Sequence, residues 1–274
     1  MRAPVRIAVA DGTLASIDNG VSADAATVLL VPGYTGSKED FQPLLRPLAA
    51  AGLRAVAIDQ RGQYQSDWAR TAAGYELTAL ADDVITVAEQ LRVNESVLHL
   101  LGHSFGGLVA RQAVLRRPEL FTDLVLMDSG PAAIAGGRRR LLDDGEPALA
   151  AGGMAGLWEH LQAQSQADPR YVRPAPRLLE FLHERFLATD PVGLRVMGDI
   201  LKVEPDRTAD LAALSVRTLV LFGVDDDAWS PAVQTDMAQR LSAQLAVIEE
   251  AAHSPAVENS TPTAAALIEF WLSN

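Results

Sequence analysis

Leu98-His99-Leu100-Leu101-Gly102-His103-Ser104-Phe105-Gly106-Gly107 decides how this chain folds. The apolar run at its start suits a buried parallel strand. The residues that follow, Leu108 to Leu115, suit a helix, so Ser104 falls on a sharp strand-to-helix turn. Glycines at 102 and 106 leave room for that turn, and the serine at its apex takes a strained backbone conformation that holds its hydroxyl out. Gly-x-Ser-x-Gly alone is a weak signal, equally readable as a glycine-rich turn. The rest of the chain must supply the context.

Outward from this turn, strand-like runs recur at Val5 to Ala10, Leu14 to Asp18, Thr27 to Val31, Arg54 to Ile58, Ser96 to Leu101, Leu124 to Met127, Thr218 to Phe222 and Leu245 to Ile248. From Val31 onward, helical patterns separate them at Phe41 to Ala51, Leu77 to Leu91, Phe105 to Arg116, Ala232 to Leu241 and Pro262 to Leu272. This alternation predicts an α/β fold with a mostly parallel eight-stranded sheet covered on both faces, the first two strands forming an antiparallel edge. Between Ser129 and Leu214 the alternation fails. Leucines, Met154, Trp158, Phe181 and Phe186 recur there at helical spacing, with breaks at Asp168-Pro169 and Arg173-Pro174-Ala175-Pro176. The expected organisation is a core of residues 1–130 and 214–274 with a helical cap inserted at 131–213.

Composition narrows the function classes. With 274 residues, 49% hydrophobic and 21% charged, the chain reads as globular, and its net charge of -12 argues against phosphate backbones and anionic lipid as partners. A small-molecule substrate is the expected partner, with oligomeric state left open. The absence of cysteine excludes disulfides, a thiol nucleophile and thiolate metal sites. The start, Met1 to Gly12, is interrupted too soon to be a signal peptide, and no apolar stretch approaches a membrane span, so a cytoplasmic location is expected.

A serine nucleophile needs a base. Of the five histidines, His99 lies in a strand, His103 in the turn itself, and His160 and His183 in the cap segment; only His253 follows a late strand in a loop. A carboxylate must orient the imidazole, and Asp226 in Gly223-Val224-Asp225-Asp226-Asp227 is the first choice, with Asp128 at the end of another strand as its rival. Asp225 and Asp227 read as solvated neighbours or as a helix cap before Ser230-Pro231. Two backbone N–H groups must face the developing oxyanion, and those of Phe105 and of Tyr34 in Pro32-Gly33-Tyr34 are the candidates. Trp158, Phe181, Phe186 and Trp229 are candidates to line an apolar substrate pocket.

With these residues in view, the chain resembles the α/β-hydrolase fold family, of the kind with a lid inserted after the sixth strand. The resemblance rests on Pro32-Gly33-Tyr34, Asp59-Gln60-Arg61-Gly62, Gly102-His103-Ser104-Phe105-Gly106-Gly107, Gly223-Val224-Asp225-Asp226 and Ala252-His253-Ser254, in the family's order Ser, Asp, His. It covers nearly all the chain outside the cap. The family's oxyanion loop often opens His-Gly, whereas this one has Pro32-Gly33. The resemblance implies a serine esterase or lactonase acting through an acyl-enzyme, with no cofactor. Asp59 and Arg61 read as a structural ion pair or turn, and His103 as a brace beneath the nucleophile. The zinc pattern His-Glu-x-x-His is absent, since His183-Glu184 runs on to Arg185-Phe186-Leu187, so no metal is expected. Two alternatives remain: the same three residues applied to carbon-carbon hydrolysis, perhydrolysis, amide cleavage or a lyase reaction, and a non-catalytic binding protein.

Overall fold

The computed structural model describes residues 5–92, 97–167 and 171–273. Eight strands form one sheet: β1 (Val5–Val9), β2 (Gly12–Asp18), β3 (Thr27–Val31), β4 (Arg54–Ile58), β5 (Leu98–His103), β6 (Asp123–Met127), β7 (Arg217–Gly223) and β8 (Gln244–Ile248). Their spatial order is β1-β2-β4-β3-β5-β6-β7-β8. β1 pairs antiparallel with β2, and β2 antiparallel with β4; every later pairing is parallel. The expected strand start at Ser96 and the break at Asp168-Pro169 lie outside the described residues.

Burial explains the continuous apolar runs. Every residue of β3, β5 and β6 is buried, as expected of parallel strands covered on both faces. Alternation sorts their side chains. Leu100, Leu124 and Val220 face one layer of helices, α2 (Leu77–Leu91) and α3 (Phe105–Arg116), while Leu101, Val125 and Leu219 face the other, α1 (Gln42–Ala50) and α10 (Ser260–Leu272). Each such buried leucine or valine contributes about 1.5–3 kcal/mol.

Between β6 and β7 the chain forms α4 (Gly136–Ala167), α5 (Pro176–Leu187), α6 (Pro191–Val203) and the short α7 (Thr208–Ala212). α4 is broken at Gly153, whose φ of 61° and ψ of -153° only glycine adopts readily. α4 packs on α5 and α6 and roofs the carboxyl ends of the strands, whereas α7 packs on α3 and on α8 (Pro231–Leu241). The inserted segment is therefore not uniform: its last helix lies against the core, because Leu211 is buried in the same cluster as Leu108 and Met237. A short helix, α9 (Pro255–Glu258), precedes α10. No helix among the described residues is long and apolar enough to cross a membrane.

Candidate active site

The turn at Ser104 is shaped by close approach rather than by glycine dihedrals. Ser104 itself holds φ 53° and ψ -121°, while Gly102 and Gly106 keep ordinary φ. A Cβ at Gly102 would meet the Gly106 carbonyl oxygen at 2.2 Å, and one at Gly106 would meet the carbonyl oxygens of Val31 and Pro32 at 2.4 Å. α3 thus packs against the end of β3 at a distance that no side chain permits. The strain at Ser104 amounts to about 1–3 kcal/mol and is held by this surrounding packing.

Three distant loops converge here. His253 Nε2 lies 2.9 Å from Ser104 Oγ, and His253 Nδ1 lies 2.8 Å from Asp226 Oδ1. Asp226 is buried, and its oxygens also accept from the Ala228 amide at 2.9 Å and from Gln234 Nε2 at 2.6 Å, so its orientation is fixed from three sides. With Nδ1–H donated to the carboxylate, Nε2 carries the lone pair that faces the hydroxyl. Such a chain can move a proton from serine to imidazole. The tautomer follows from the carboxylate, which is only an acceptor when ionised.

Asp128 occupies the neighbouring strand end without touching the imidazole. Its Oδ1 accepts the Gly223 amide at 3.0 Å, and its Oδ2 is buried with no partner among the described residues. Burial, followed by the negative charge of Asp226, pushes its carboxyl well above the ordinary range. Asp128, Asp226 and His253 place one potential ligand atom each within 4.8 Å of one another, yet Nδ1 is engaged in the hydrogen bond to Asp226. The other acids of the loop separate as well. Asp225 and Asp227 are both exposed, in keeping with solvated neighbours, Asp227 meeting Arg138 of α4 at the surface at 2.8 Å; the helix-cap alternative is corrected, since the cap of α8 is Ser230.

The loop carrying His253 is braced by two side chains. Glu258 Oε2 accepts from the amides on either side, Ala252 at 2.7 Å and Ser254 at 3.0 Å. His103 Nε2 donates to the His253 carbonyl oxygen at 2.7 Å, and burial pushes the His103 imidazole down to about 4, which keeps it neutral. His103 is a brace, as its position in the sequence suggests. Glu258 has no motif that would have marked it.

The Pro32-Gly33-Tyr34 loop lies beside the serine: a Cβ at Gly33 would stand 3.2 Å from the Ser104 Cβ. Neither the Tyr34 nor the Phe105 amide meets a protein acceptor among the described residues. The Phe105 amide is one of the free donors of the first helical turn. Asp59 and Arg61 are structural, as expected, but they are not paired with each other. Asp59 instead binds the buried Lys38 at 2.7 Å, and Arg61 binds Asp83 at 2.5 Å.

Above the serine lies a cavity of about 390 Å³, walled by Ile134, Leu157, Phe186, Leu194 and Trp229. Phe186 and Trp229 thus line it. Trp158 and Phe181 do not. Trp158 is packed between His183 and Phe186, with ring centroids at 5.1 and 5.4 Å, and Phe181 stands edge-on to Tyr64 at 5.8 Å. Aromatic spacing on a helix did not reveal which face looked inward. The opposite wall is α6, which the sequence reading left unassigned, although Asp190-Pro191 marks its start and Leu194, Met197 and Leu201 keep helical period.

Over residues 22–260 the chain matches the family model described as serine aminopeptidase, S33. It is 30% identical over 229 residues to the putative carbamate hydrolase RutD of Pantoea ananatis, covering 80% of this chain and 78% of that protein. A thermophilic esterase from Thermogutta terrifontis superposes with a TM-score of 0.78 at 25% identity, over 98% of this chain and 97% of that one. An enol-lactonase from Burkholderia xenovorans does so with a TM-score of 0.81 at 20% identity, over 98% and 100%, a likeness of fold alone.

Proposed function

The chain belongs to the serine aminopeptidase S33 family of α/β-hydrolases, and from that membership and the geometry above we propose a serine hydrolase that cleaves a carboxylic ester or lactone. His253 takes the proton from Ser104, whose oxygen attacks the carbonyl carbon of a substrate lying in the cavity. The amides of Tyr34 and Phe105 hold the resulting oxyanion, and Asp226 stabilises the imidazolium. His253 then gives its proton to the departing alkoxide, leaving an acyl-enzyme that water cleaves by the same steps in reverse order. α4 to α6 act as the cap, with Phe186 and Trp229 contacting the substrate. We assign the cap to α4 to α6 within residues 131–213 and leave α7, which packs on α3 and α8, with the core.

One observation carries this reading: Ser104, His253 and Asp226 form a continuous hydrogen-bonded relay of 2.9 and 2.8 Å at the floor of the cavity. The test is reaction with a fluorophosphonate, followed by mass spectrometry of the modified peptide. Labelling at Ser104 in wild type and its loss in His253→Ala support the relay; an unlabelled Ser104 in folded protein overturns it in favour of a binding protein.

The match to a putative carbamate hydrolase favours a second reading, in which the same residues cleave a carbamate. Turnover of paired aryl esters and aryl carbamates of equal size separates the two. Faster carbamate cleavage would replace the ester assignment.

A further inference from the structure

Eight charged side chains line the cavity, and seven are engaged. Arg185 binds Asp40 at 2.5 Å, and Arg138 binds Asp227 at 2.8 Å. Lys202 binds Asp199 at 3.2 Å and Glu146 at 3.6 Å, and Glu258 accepts the two amides beside His253. Arg195 of α6 alone has neither a carboxylate within 4.0 Å nor a hydrogen-bond acceptor among the described residues. Three residues along the same helix, and so on the same face, stands Gly198. The Tyr34 hydroxyl approaches this glycine so closely that a Cβ there would be 2.9 Å from it, and that hydroxyl donates to no group among the described residues. Burial and the nearby Asp199 and Glu146 push the Tyr34 phenol upward, so it remains a neutral donor at any working pH. One wall of the cavity therefore offers two donors, the solvent-exposed Arg195 guanidinium and the Tyr34 hydroxyl, with no acceptor for either among the described residues.

We infer that the substrate carries a carboxylate on the portion lying under α6, held by the Arg195 guanidinium and the Tyr34 hydroxyl. The inference rests on the proposed hydrolase reading for the location of the reacting bond, and it adds what the rest of the substrate must be. An anion is the ligand that a guanidinium and a phenol bind together, because both donate and a charged acceptor strengthens each bond. The net charge of -12 makes the point sharper: the protein as a whole repels anions, so affinity for one needs a local cation that no internal acid has claimed.

The experiment uses the isosteric pair butyrate and butyramide together with butylammonium, a cation of similar length, each as a competitor that slows fluorophosphonate labelling of Ser104. Wild type, Arg195→Gln and Tyr34→Phe are compared through the ratio of inhibition constants, so that a general change in reactivity cancels. Butyrate is expected to bind at least about tenfold tighter than butyramide in wild type. Arg195→Gln brings that ratio close to one, and Tyr34→Phe lowers it partway. Equal binding of butyrate and butyramide, strongest binding of butylammonium, or a ratio unchanged in Arg195→Gln overturns the inference. If Ser104 takes no label, the hydrolase reading fails separately, and the same ratios are read by calorimetric titration of the unlabelled proteins. Absence of butyrate binding in that titration overturns the inference too.

Discussion

Replacing Asp226 by asparagine tests the relay more sharply than removing the serine, because the outcome depends on which of two buried aspartates faces the imidazole. Asp226 offers two acceptor oxygens to three donors: His253 Nδ1 and the Ala228 amide on one, Gln234 Nε2 on the other. Asparagine has one acceptor and one donor. Turned with its oxygen toward His253, it sets its NH2 against the NH2 of Gln234, which cannot flip freely because that group also donates to the Trp229 carbonyl at 2.7 Å. Turned the other way, it donates to Nδ1 and forces the proton onto Nε2, which then has no lone pair for Ser104. Either arrangement removes the charge that stabilises the imidazolium. The expected loss is about four orders of magnitude in kcat/KM, or roughly 5.5 kcal/mol of transition-state stabilisation. Asp128→Asn is the control. Burial and the neighbouring charge of Asp226 push its carboxyl well upward, one oxygen accepts the Gly223 amide and the other has no hydrogen-bond partner among the described residues, so a neutral amide fits and the loss stays below about tenfold. Steady-state hydrolysis of an aryl ester by both variants decides the matter. A larger loss in Asp128→Asn would show that the reasoning names the wrong carboxylate.

Ser104→Gly removes the nucleophile and relieves the left-handed strain at φ 53°; it is expected to abolish labelling while raising denaturant stability by about 1 kcal/mol, net of glycine's entropy cost. An unchanged or lower stability would mean that the backbone there is not strained. Gly106→Ala sets a Cβ 2.4 Å from two carbonyl oxygens at the end of β3 and is expected to cost more than about 3 kcal/mol in the same measurement. A near-neutral result would disprove the close approach. His103 is held down to about 4, below its unfolded value, so the unfolded chain gains a proton first as pH falls. Its contribution is complete above about pH 6.5 and is lost as pH falls toward 4, about 3 kcal/mol in all. His103→Gln, which keeps a donor for the His253 carbonyl, is therefore expected to flatten the acid limb of a stability-against-pH curve. An unaltered acid limb in His103→Gln would refute that assignment.

The sheet was legible because period and composition agree along it. Val28 to Val31 and Leu124 to Met127 are unbroken apolar runs suited to doubly covered strands, and the structure places strands there within a residue or two. Ser104, Asp226 and His253 were legible because each follows a strand at the same end of the sheet, where loops from distant parts of the chain must meet. What the sequence hid lies above the sheet. Trp158 on α4 and Phe181 and Phe186 on α5 each fall at helical spacing, yet only Phe186 looks into the cavity; that choice is made by how α5 packs on α4, a tertiary fact with no local signature. Glu258 was invisible for a related reason, since a glutamate on an exposed turn reads as solvated until the two amides it binds are brought beside it.

Ser104 and His253 stand 149 positions apart, and they meet only after β6, β7 and β8 have each been added to one edge of the sheet. Contacts of such long range close slowly, because the chain between them must be ordered first. A partly assembled molecule can hold its helices and most of its strands and still be chemically inert. During refolding, hydrolytic turnover should accordingly return with the slowest phase, behind the far-ultraviolet signal. Enzymatic competence then serves as a clock for the completion of the whole architecture.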